Sequence, residues 1–222
     1  MSLNISKGNM YGFVTHSWNA IKGKCPHGCT YCYMNRFGEQ KPVRLDEKEL
    51  KTDLGSGNII FVGSSCDMFA DDIPIKWSSK VIDYCKQFDN TYLWQTKNTF
   101  NLYQRSLYTG LPPKSIVCTT IESNIYYDQI CPDAALPEER AIWLRKLPFE
   151  RHVTIEPIMY FDMDKMVDLI RECDPKQVNI GANTNHKIKL PEPSPEKVYE
   201  LIERLEDFTI VHLKDNLNRL LK

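Results

Sequence analysis

Three cysteines near the start of the chain have the spacing of a metal-cluster loop. Cys25, Cys29 and Cys32 lie in the sequence KGKCPHGCTYCYMNRF, which has the pattern C-x3-C-x2-C. A short loop with this spacing can bring three thiolates onto three corners of a cubic iron–sulfur cluster. Clusters that only carry electrons usually have four cysteine ligands, so a loop with three leaves one iron open to a substrate or cofactor. The spacing therefore indicates a [4Fe–4S] cluster with an open iron.

Zinc and disulfide bonds are the alternatives for this loop. Zinc binds thiolates and imidazoles, and His27 lies between the first two cysteines. However, zinc sites more often combine two C-x2-C pairs, and no second pair follows in the sequence. Disulfide bonds would suit a chain with eight cysteines, but the N-terminal sequence MSLNISKGNM has no apolar signal segment and favours a reducing cytoplasm. The spacing favours a cluster and leaves zinc open.

The cysteine loop resembles the signature of the radical S-adenosylmethionine (radical SAM) superfamily, in which an aromatic residue, here Tyr31, precedes the last cysteine. Its core CPHGCTYCY is also similar to the loop of spore photoproduct lyases, the DNA-repair branch of that superfamily. Six segments between residues 16 and 185 resemble, in the same order, a little-characterised radical-SAM-like family common in phage and bacterial genomes: HSWNAIKGKC, VGSSCDMFADDIPIKW, LWQTKN, CTTIES, VTIEPIM and VNIGANTN. The chain departs from the pattern of that family at Ala20, which replaces a proline, and at Ala182-Asn183, which replace Gly-Glu.

The resemblance implies an enzyme that uses a [4Fe–4S] cluster to cleave S-adenosylmethionine (SAM) reductively to a 5′-deoxyadenosyl radical, which abstracts hydrogen from a substrate. Such an enzyme needs an external one-electron reductant of the flavodoxin or ferredoxin type. The loop, with His16, Trp18, Tyr33 and Arg36 near it, favours a nucleotide or nucleic acid as substrate. A small metabolite or a peptide is the alternative substrate. A non-enzymatic zinc- or cluster-binding recognition module is the alternative to an enzyme.

The chemical groups of SAM indicate which residues would bind it. Its amino group needs acceptors, and in the superfamily the loop after the second strand, here Gly63-Ser64-Ser65, commonly supplies them. Its carboxylate needs a cation, for which Lys97 resembles the lysine of spore photoproduct lyases. The ribose favours a carboxylate or an amide, and the adenine favours an apolar wall. The candidate SAM-binding residues are therefore Tyr31, Gly63, Ser64, Ser65, Gln95, Lys97 and Glu122.

The other cysteines have a catalytic and a packing interpretation. Cys66 ends the second predicted strand, where a thiol could return a hydrogen atom to a substrate radical, as in the lyase branch. A lone cysteine in a core is more often a small buried apolar residue, so this catalytic candidate competes with a packing role. The patterns around Cys85, Cys118 and Cys173 indicate packing, and Cys131 lies in a predicted loop without an assigned role.

Length and composition predict one domain. The 222 residues are 42% apolar, which is enough for a substantial core, and we expect residues 1–222 to form a single barrel domain. The net charge is −1 without a block of like charges, which gives no electrostatic support for tight nonspecific binding to nucleic acid. Even the run from Ile59 to Val62, among the longest purely apolar ones, is far short of a membrane span. We expect a cytoplasmic protein without a membrane partner.

Short β-branched or aromatic runs alternate with helical patterns along the chain. The helical patterns cover residues 77–88, 163–170 and 194–205; Asp162 would cap the second and Ser194 the third, with Pro195 in its first turn. This alternation predicts a parallel sheet with the helices outside. The predicted fold class is α/β, a partial (β/α)6 TIM-type barrel with an added C-terminal strand and helix. The predicted strands are residues 11–15, 58–62, 91–95, 115–121, 152–155, 177–180 and 208–213.

Parallel sheets carry their chemistry at the carboxyl ends of the strands. The cysteine loop follows the first predicted strand, and residues 63–67 follow the second. Lys97, Glu122 and Glu156 lie at the ends of the third, fourth and fifth strands, and residues 181–183 follow the sixth. We therefore expect most of the unusual polar residues to meet at one rim of the barrel.

Overall fold

Strands and helices alternate along most of the chain in the computed structural model, which describes residues 3–185 and 187–222. The strands are β1 (Asn4–Ile5), β2 (His16–Trp18), β3 (Ile21–Lys22), β4 (Arg44–Leu45), β5 (Ile59–Val62), β6 (Thr91–Thr96), β7 (Ser115–Thr120), β8 (Glu150–Ile155), β9 (Gln177–Ile180) and β10 (Ile210–Leu213). The helices are α1 (Ile75–Cys85), α2 (Thr99–Thr109), α3 (Pro137–Arg145), α4 (Met163–Glu172) and α5 (Pro195–Glu206). Within the two described ranges, no helix combines the length and the apolar character that crossing a membrane requires.

Parallel strands form the wall of a partial barrel. The order in the main sheet is β1-β2-β5-β6-β7-β8-β9-β10; all neighbours from β2 to β10 are parallel, whereas β1 pairs with β2 in the antiparallel sense. Helices α1 to α5 connect the successive strands from β5 to β10. The predicted α/β class and partial TIM-type barrel are confirmed, and the added C-terminal strand is β10, which extends the sheet beyond β9.

The connection from β2 to β5 contains the cysteine loop. Strands β3 and β4 pair at the base of this loop, and Lys24 N donates a hydrogen bond to Lys41 O at 2.8 Å just above them. Gly23 has a φ of 112°, and a Cβ there would lie 2.6 Å from the Pro42 carbonyl oxygen. Glycine is therefore required where the two sides of the loop approach each other.

Local sequence signals explain where α4 and α5 begin. The Asp162 carboxylate accepts a hydrogen bond from Lys165 N, and the Ser194 hydroxyl accepts one from Lys197 N. These bonds satisfy backbone donors that have no partner in the first helical turn. Pro195 lies in the first turn of α5. Both predicted caps are confirmed, and both helices bury the predicted apolar faces, which contain Met166, Val167, Ile170, Val198, Leu201, Ile202 and Leu205.

Helices α2 and α3 are absent from the sequence prediction. Helix α2 begins after Asn98, whose side chain accepts a hydrogen bond from Asn101 N. Helix α3 buries Arg140 together with Ala141 and Leu144, so a charged residue interrupts its apolar stripe. The periodicity of apolar residues cannot indicate a helix whose buried face includes an arginine.

The strand predicted for residues 11–15 is wrong. The first parallel strand is β2, which begins at His16. Tyr11 and Val14 instead pack in a buried cluster with Phe61 from β5 and Leu93 from β6. The apolar pattern before β2 thus reflects burial inside the barrel, which periodicity alone does not distinguish from strand pairing.

Candidate cluster and cofactor site

A cavity of about 450 Å³ lies at the carboxyl ends of the parallel strands. The sheet register aligns these ends, because Thr96 pairs with Thr119 and Thr120 pairs with Thr154. The volume is in the usual range for a small-molecule site. The predicted site residues that line the cavity are Cys25, Cys29, Tyr31, Cys32, Gly63, Ser64, Ser65, Cys66, Gln95 and Lys97; Glu122 is the exception.

The candidate cluster ligands Cys25, Cys29 and Cys32 are free, half-buried cysteines in one wall of this cavity. A hydrogen bond from the Cys66 thiol lowers the pKa of Cys25 to about 7, against the effect of burial. A hydrogen bond from the Cys131 thiol likewise lowers the pKa of Cys29 to about 6. Burial raises the pKa of Cys32. Because the thiolate is the form that binds metals, the environment of two of the three thiols favours a metal centre.

His27 does not offer a free nitrogen to zinc. Its Nε2 atom lies 2.7 Å from Asp67 Oδ2, and its Nδ1 atom lies 2.9 Å from Asp133 O. Although burial lowers it, the Asp67 carboxylate raises the pKa of His27 to about 9, so both ring nitrogens carry protons and donate. Among the described residues, no three His, Cys, Asp or Glu side chains are arranged to hold a single metal ion. A cubane does not need that arrangement, because each thiolate binds a different iron.

Asp67 connects the cysteine loop to the ends of two strands. It follows β5, and its carboxylate accepts hydrogen bonds from Thr96 Oγ1 at 2.8 Å and from Lys97 N at 2.9 Å. Burial raises the pKa of Asp67, but the His27 imidazolium outweighs burial and lowers it. The pair therefore fixes the cysteine loop against β5 and β6.

Glu122 lies behind the cavity wall. Its carboxylate is 2.8 Å from Arg140 Nη1 and 3.6 Å from Lys97 Nζ, and it accepts a hydrogen bond from the Tyr31 hydroxyl. Burial opposes ionisation, but Arg140 and Lys97 lower the pKa of Glu122 to about 2. The Lys97 side chain is 15% exposed and lines the cavity. Glu122 thus positions Lys97 and Tyr31, and its carboxylate does not face a ribose in the cavity.

The loop after β5 contributes backbone groups to the cavity wall. Gly63 has a φ of 80°, and a Cβ there would lie 3.1 Å from the Cys66 carbonyl oxygen. Ser65 N donates to Asn19 Oδ1 at 3.0 Å, and the Tyr33 hydroxyl donates to Ser64 O at 3.0 Å. These bonds hold the predicted amine-binding loop beside the cysteine loop.

Gln95 belongs to a polar network in the barrel interior. Its Oε1 atom accepts a hydrogen bond from the Tyr11 hydroxyl at 2.7 Å, and its Nε2 atom donates to Thr120 Oγ1 at 3.0 Å. The Tyr11 hydroxyl also lies 2.6 Å from Thr154 Oγ1. Tyr11 has no role in the sequence prediction, because its pattern suggested a strand.

Glu156 forms a charged part of the cavity wall. Lys214 Nζ lies 2.6 Å from Glu156 Oε2, and the side-chain amides of Asn9 and Asn216 donate to Oε1 at 2.6 and 2.8 Å. A Cβ on Gly181 would lie 2.8 Å from Glu156 Oε1, so a side chain at residue 181 would displace the Glu156 carboxylate. The sequence predicts that Glu156 and Gly181 lie at the rim. No pattern in the sequence indicates that residues near both ends of the chain contact Glu156.

Only some of the residues predicted near the mouth are there. Tyr33 and Arg36 line the cavity, Tyr33 is 42% exposed, and the Arg36 guanidinium donates to Thr184 O. The placement of Trp18 near the mouth is wrong, because its side chain is 1% exposed in the core. His16 lies on β2 and is not among the lining residues.

Comparisons with known proteins identify the fold. Among solved structures, a point variant of spore photoproduct lyase is similar with a TM-score of 0.64 and 11% identity, and the match covers 96% of this chain and 80% of the lyase chain. At this identity the similarity concerns the fold alone. No protein-family model and no curated protein matches the chain. The resemblance to the phage and bacterial family stays a prediction.

Proposed function

We propose that the chain is a radical SAM enzyme that binds a [4Fe–4S] cluster through Cys25, Cys29 and Cys32. The main support is that these three thiols and the Lys97 ammonium meet in one cavity at the carboxyl ends of the strands. Lys97 and the His27 imidazolium both act electrostatically on Cys29. Their positive charge would offset the negative charge of three thiolates, so the residues present fit a bound cluster.

When bound, such a cluster supplies the electron for reductive cleavage of SAM to a 5′-deoxyadenosyl radical that abstracts hydrogen from a substrate. The residues of the chain bind and orient SAM. In this proposal Lys97 pairs with the carboxylate, and oxygens of residues 63–65 accept hydrogen bonds from the amino group. Tyr31 forms part of the adenine wall, and Gln95 contacts the ribose. Glu122, which the sequence analysis includes among the SAM-binding residues, holds Lys97 in place in this proposal and does not contact the ribose.

Two further assignments complete the proposal. Cys66 lines the cavity beside Cys25 and is the candidate that returns a hydrogen atom to a substrate radical. The electron comes from an external one-electron reductant of the flavodoxin or ferredoxin type.

The proposed substrate is a nucleotide or nucleic acid at the mouth of the barrel. Tyr33 and Arg36 support it, because an exposed aromatic ring can stack on a base and a guanidinium can hold a phosphate. Phe37, which is 70% exposed, packs edge-on against Tyr33 and extends this surface. The similarity to a spore photoproduct lyase agrees with such a substrate.

A small metabolite or a peptide is the second candidate substrate. The cavity volume of about 450 Å³ favours it, because that space suits one small ligand and a bound SAM would occupy much of it. A non-enzymatic zinc- or cluster-binding module is the remaining alternative to an enzyme.

Anaerobic reconstitution followed by an assay for 5′-deoxyadenosine tests the proposal. With SAM and a chemical reductant, we expect the wild-type protein to form 5′-deoxyadenosine and Cys29→Ala to form none. Faster formation of 5′-deoxyadenosine with DNA, RNA or nucleotides would support a nucleotide or nucleic acid as the substrate. Faster formation with metabolites or peptides alone would support the second candidate substrate. A reconstituted protein that binds metal but never cleaves SAM would be a recognition module.

A further inference from the structure

We infer that Cys29 and Cys131 form a reversible disulfide bond in the cluster-free protein. The inference rests on the proposed function, in which Cys29 binds the cluster of the working enzyme. Cys131 has no part in that function and none in the sequence prediction. The structure gives it a role as the partner that Cys29 takes when iron is lost.

The two thiols are neighbours that belong to different loops. Cys131 follows β7 and is 5% exposed, and its thiol donates to the Tyr31 hydroxyl at 3.4 Å and to Glu122 Oε1 at 3.6 Å, beside the cysteine loop. The Cys131 thiol also lowers the pKa of Cys29. Thr30, which follows Cys29, donates a backbone hydrogen bond at 2.9 Å to the carbonyl oxygen of Ile130, which precedes Cys131. A backbone hydrogen bond sets two chains about 5 Å apart, and disulfides join residues whose Cα atoms are about 4.4–6.8 Å apart. The bond can therefore form without a large movement of either loop.

Other contacts hold these two loops together without a metal. The Cys131 thiol lies 3.4 Å from the Tyr31 hydroxyl. On the other side of the cysteine loop, His27 Nδ1 lies 2.9 Å from Asp133 O. Hydrogen bonds on both sides of Cys29 thus keep its thiol next to Cys131 when no cluster is bound.

The thiol pair Cys25 and Cys66 is the competing possibility. Both thiols line the cavity, and the Cys66 thiol lowers the pKa of Cys25. In the described part of the chain, however, no backbone–backbone hydrogen bond joins the residues that flank them. The geometry therefore favours Cys29 and Cys131 as the pair that is linked.

The reaction needs an oxidant, for which dioxygen suffices. Both S–H bonds break, one Sγ–Sγ bond forms, and the two protons and two electrons reduce dioxygen to hydrogen peroxide. Cys29 lines the cavity, so the oxidant reaches the pair from there. A disulfide protects Cys29 from irreversible oxidation to sulfinic acid, but it also withholds a ligand from the cluster until a dithiol reduces it.

Peptide mapping of the full-length protein tests the inference. Iron is removed with a chelator, the protein is exposed to air, and free thiols are blocked with N-ethylmaleimide before digestion with trypsin without reduction. Trypsin releases Cys29 in residues 25–36, Cys131 in residues 115–140 and Cys66 in residues 52–76. We expect a linked species of residues 25–36 with 115–140 that disappears after treatment with dithiothreitol.

Serine variants identify the cysteines in that link. Residues 115–140 also contain Cys118, and residues 25–36 also contain Cys25 and Cys32. The link must therefore persist in Cys118→Ser, Cys25→Ser and Cys32→Ser, and disappear in Cys131→Ser and Cys29→Ser. A link of residues 25–36 to 52–76 instead, or no link between the loops in the wild-type protein, would overturn the inference.

Iron binding separates this inference from the proposed function. We expect the air-exposed protein to bind iron and sulfide only after reduction with a dithiol. If the reduced protein binds no iron, the proposed cluster fails while the disulfide stands. If the unreduced protein builds a full cluster, the link does not withhold Cys29 and the inference fails.

Discussion

Buried ion pairs position the side chains of the candidate site. The pair His27–Asp67 holds the cysteine loop, and the pair Glu122–Arg140 lies behind Lys97. Removing one partner of a buried pair leaves an uncompensated charge, which costs about 3–5 kcal/mol. The stability of the fold and the geometry of the cavity therefore depend on the same residues.

The three cluster ligands give the first prediction. Purified without oxygen, the protein should be brown and bind about four irons and four sulfides, because three thiolates with this spacing suit a cubane with one open iron. Replacement of Cys25, Cys29 or Cys32 by alanine should abolish iron binding. Cys173→Ala is the matched control, since Cys173 is buried after α4 and is not among the residues that line the cavity. A colourless protein with stoichiometric zinc would contradict this prediction.

Lys97 gives the second prediction. Lys97→Ala should weaken SAM binding about ten- to hundredfold, because a buried charge-assisted hydrogen bond contributes about 1.5–3 kcal/mol. Iron content should not change, because all three thiolates remain and the His27 imidazolium still acts electrostatically on Cys29. Calorimetric titration of the reconstituted protein with SAM measures the effect. Lys114→Ala is the control, because Lys114 is an exposed lysine paired with Asp89 before β7. Unchanged affinity in Lys97→Ala would assign the carboxylate of SAM to another residue.

At the scale of elements, the loop between β5 and α1 combines backbone conformation with ligand contact. Gly63 has a φ of 80° and approaches the Cys66 carbonyl oxygen, whereas Gly57 has a φ of 72° with nothing near its Cβ position. An alanine forced into a left-handed conformation with positive φ lowers the free energy of unfolding by about 1–2 kcal/mol through backbone strain alone. Alanine at residue 57 therefore adds backbone strain alone, whereas alanine at residue 63 adds the same strain and a close contact.

Substitution of these glycines is the third prediction. Gly63→Ala should lower the free energy of unfolding more than Gly57→Ala does, because only the former adds a close contact. Gly63→Ala should also weaken SAM binding, and Gly57→Ala should leave it unchanged. Urea denaturation measures the stability of each variant, and titration with SAM measures its affinity. Equal effects of both substitutions on SAM binding would show that the loop after β5 does not contact the cofactor.

At the scale of the whole molecule, charge limits the binding of nucleic acid. The net charge is −1, and Arg36 is one of few cations at the mouth of the cavity. Few phosphate contacts imply weak overall binding, so that losing them at moderate salt is enough for dissociation. Stacking on Tyr33 and Phe37 would add to the affinity at low salt.

The fourth prediction follows from this charge distribution. Single-stranded DNA or RNA should bind at low salt and dissociate at moderate salt, and Arg36→Ala should weaken binding and reduce its salt dependence. Arg204→Ala is the control, because Arg204 is paired with Asp164 and Glu200 on α5. Fluorescence anisotropy at several salt concentrations measures both variants. If no nucleic acid or nucleotide binds at low salt, the small-metabolite or peptide substrate takes precedence.

Features that depend on residues close together in the chain could be predicted from the sequence. The C-x3-C-x2-C spacing identified the cysteine loop, and Asp162 and Ser194 marked the starts of α4 and α5. Alternation of strands and helices was sufficient for the barrel class, because a parallel strand requires a crossover connection. The carboxyl-end rule then predicted that Lys97 and Gln95 lie at the rim, and both line the cavity there. Each of these features is encoded within a short stretch of chain.

The packing of helices and loops on the sheet establishes which side chains face each other across the barrel. Glu122 was expected at the cavity surface, but Arg140 from the unpredicted helix α3 holds it behind the wall. The sequence places Cys131 in a loop without a role, yet its thiol lies 3.4 Å from the hydroxyl of Tyr31 in the cysteine loop, 100 positions away in the sequence. Trp18 packs in the core. Burial and the pairing of distant charges depend on how helices and loops pack on the sheet, and no local pattern in the sequence carries that information.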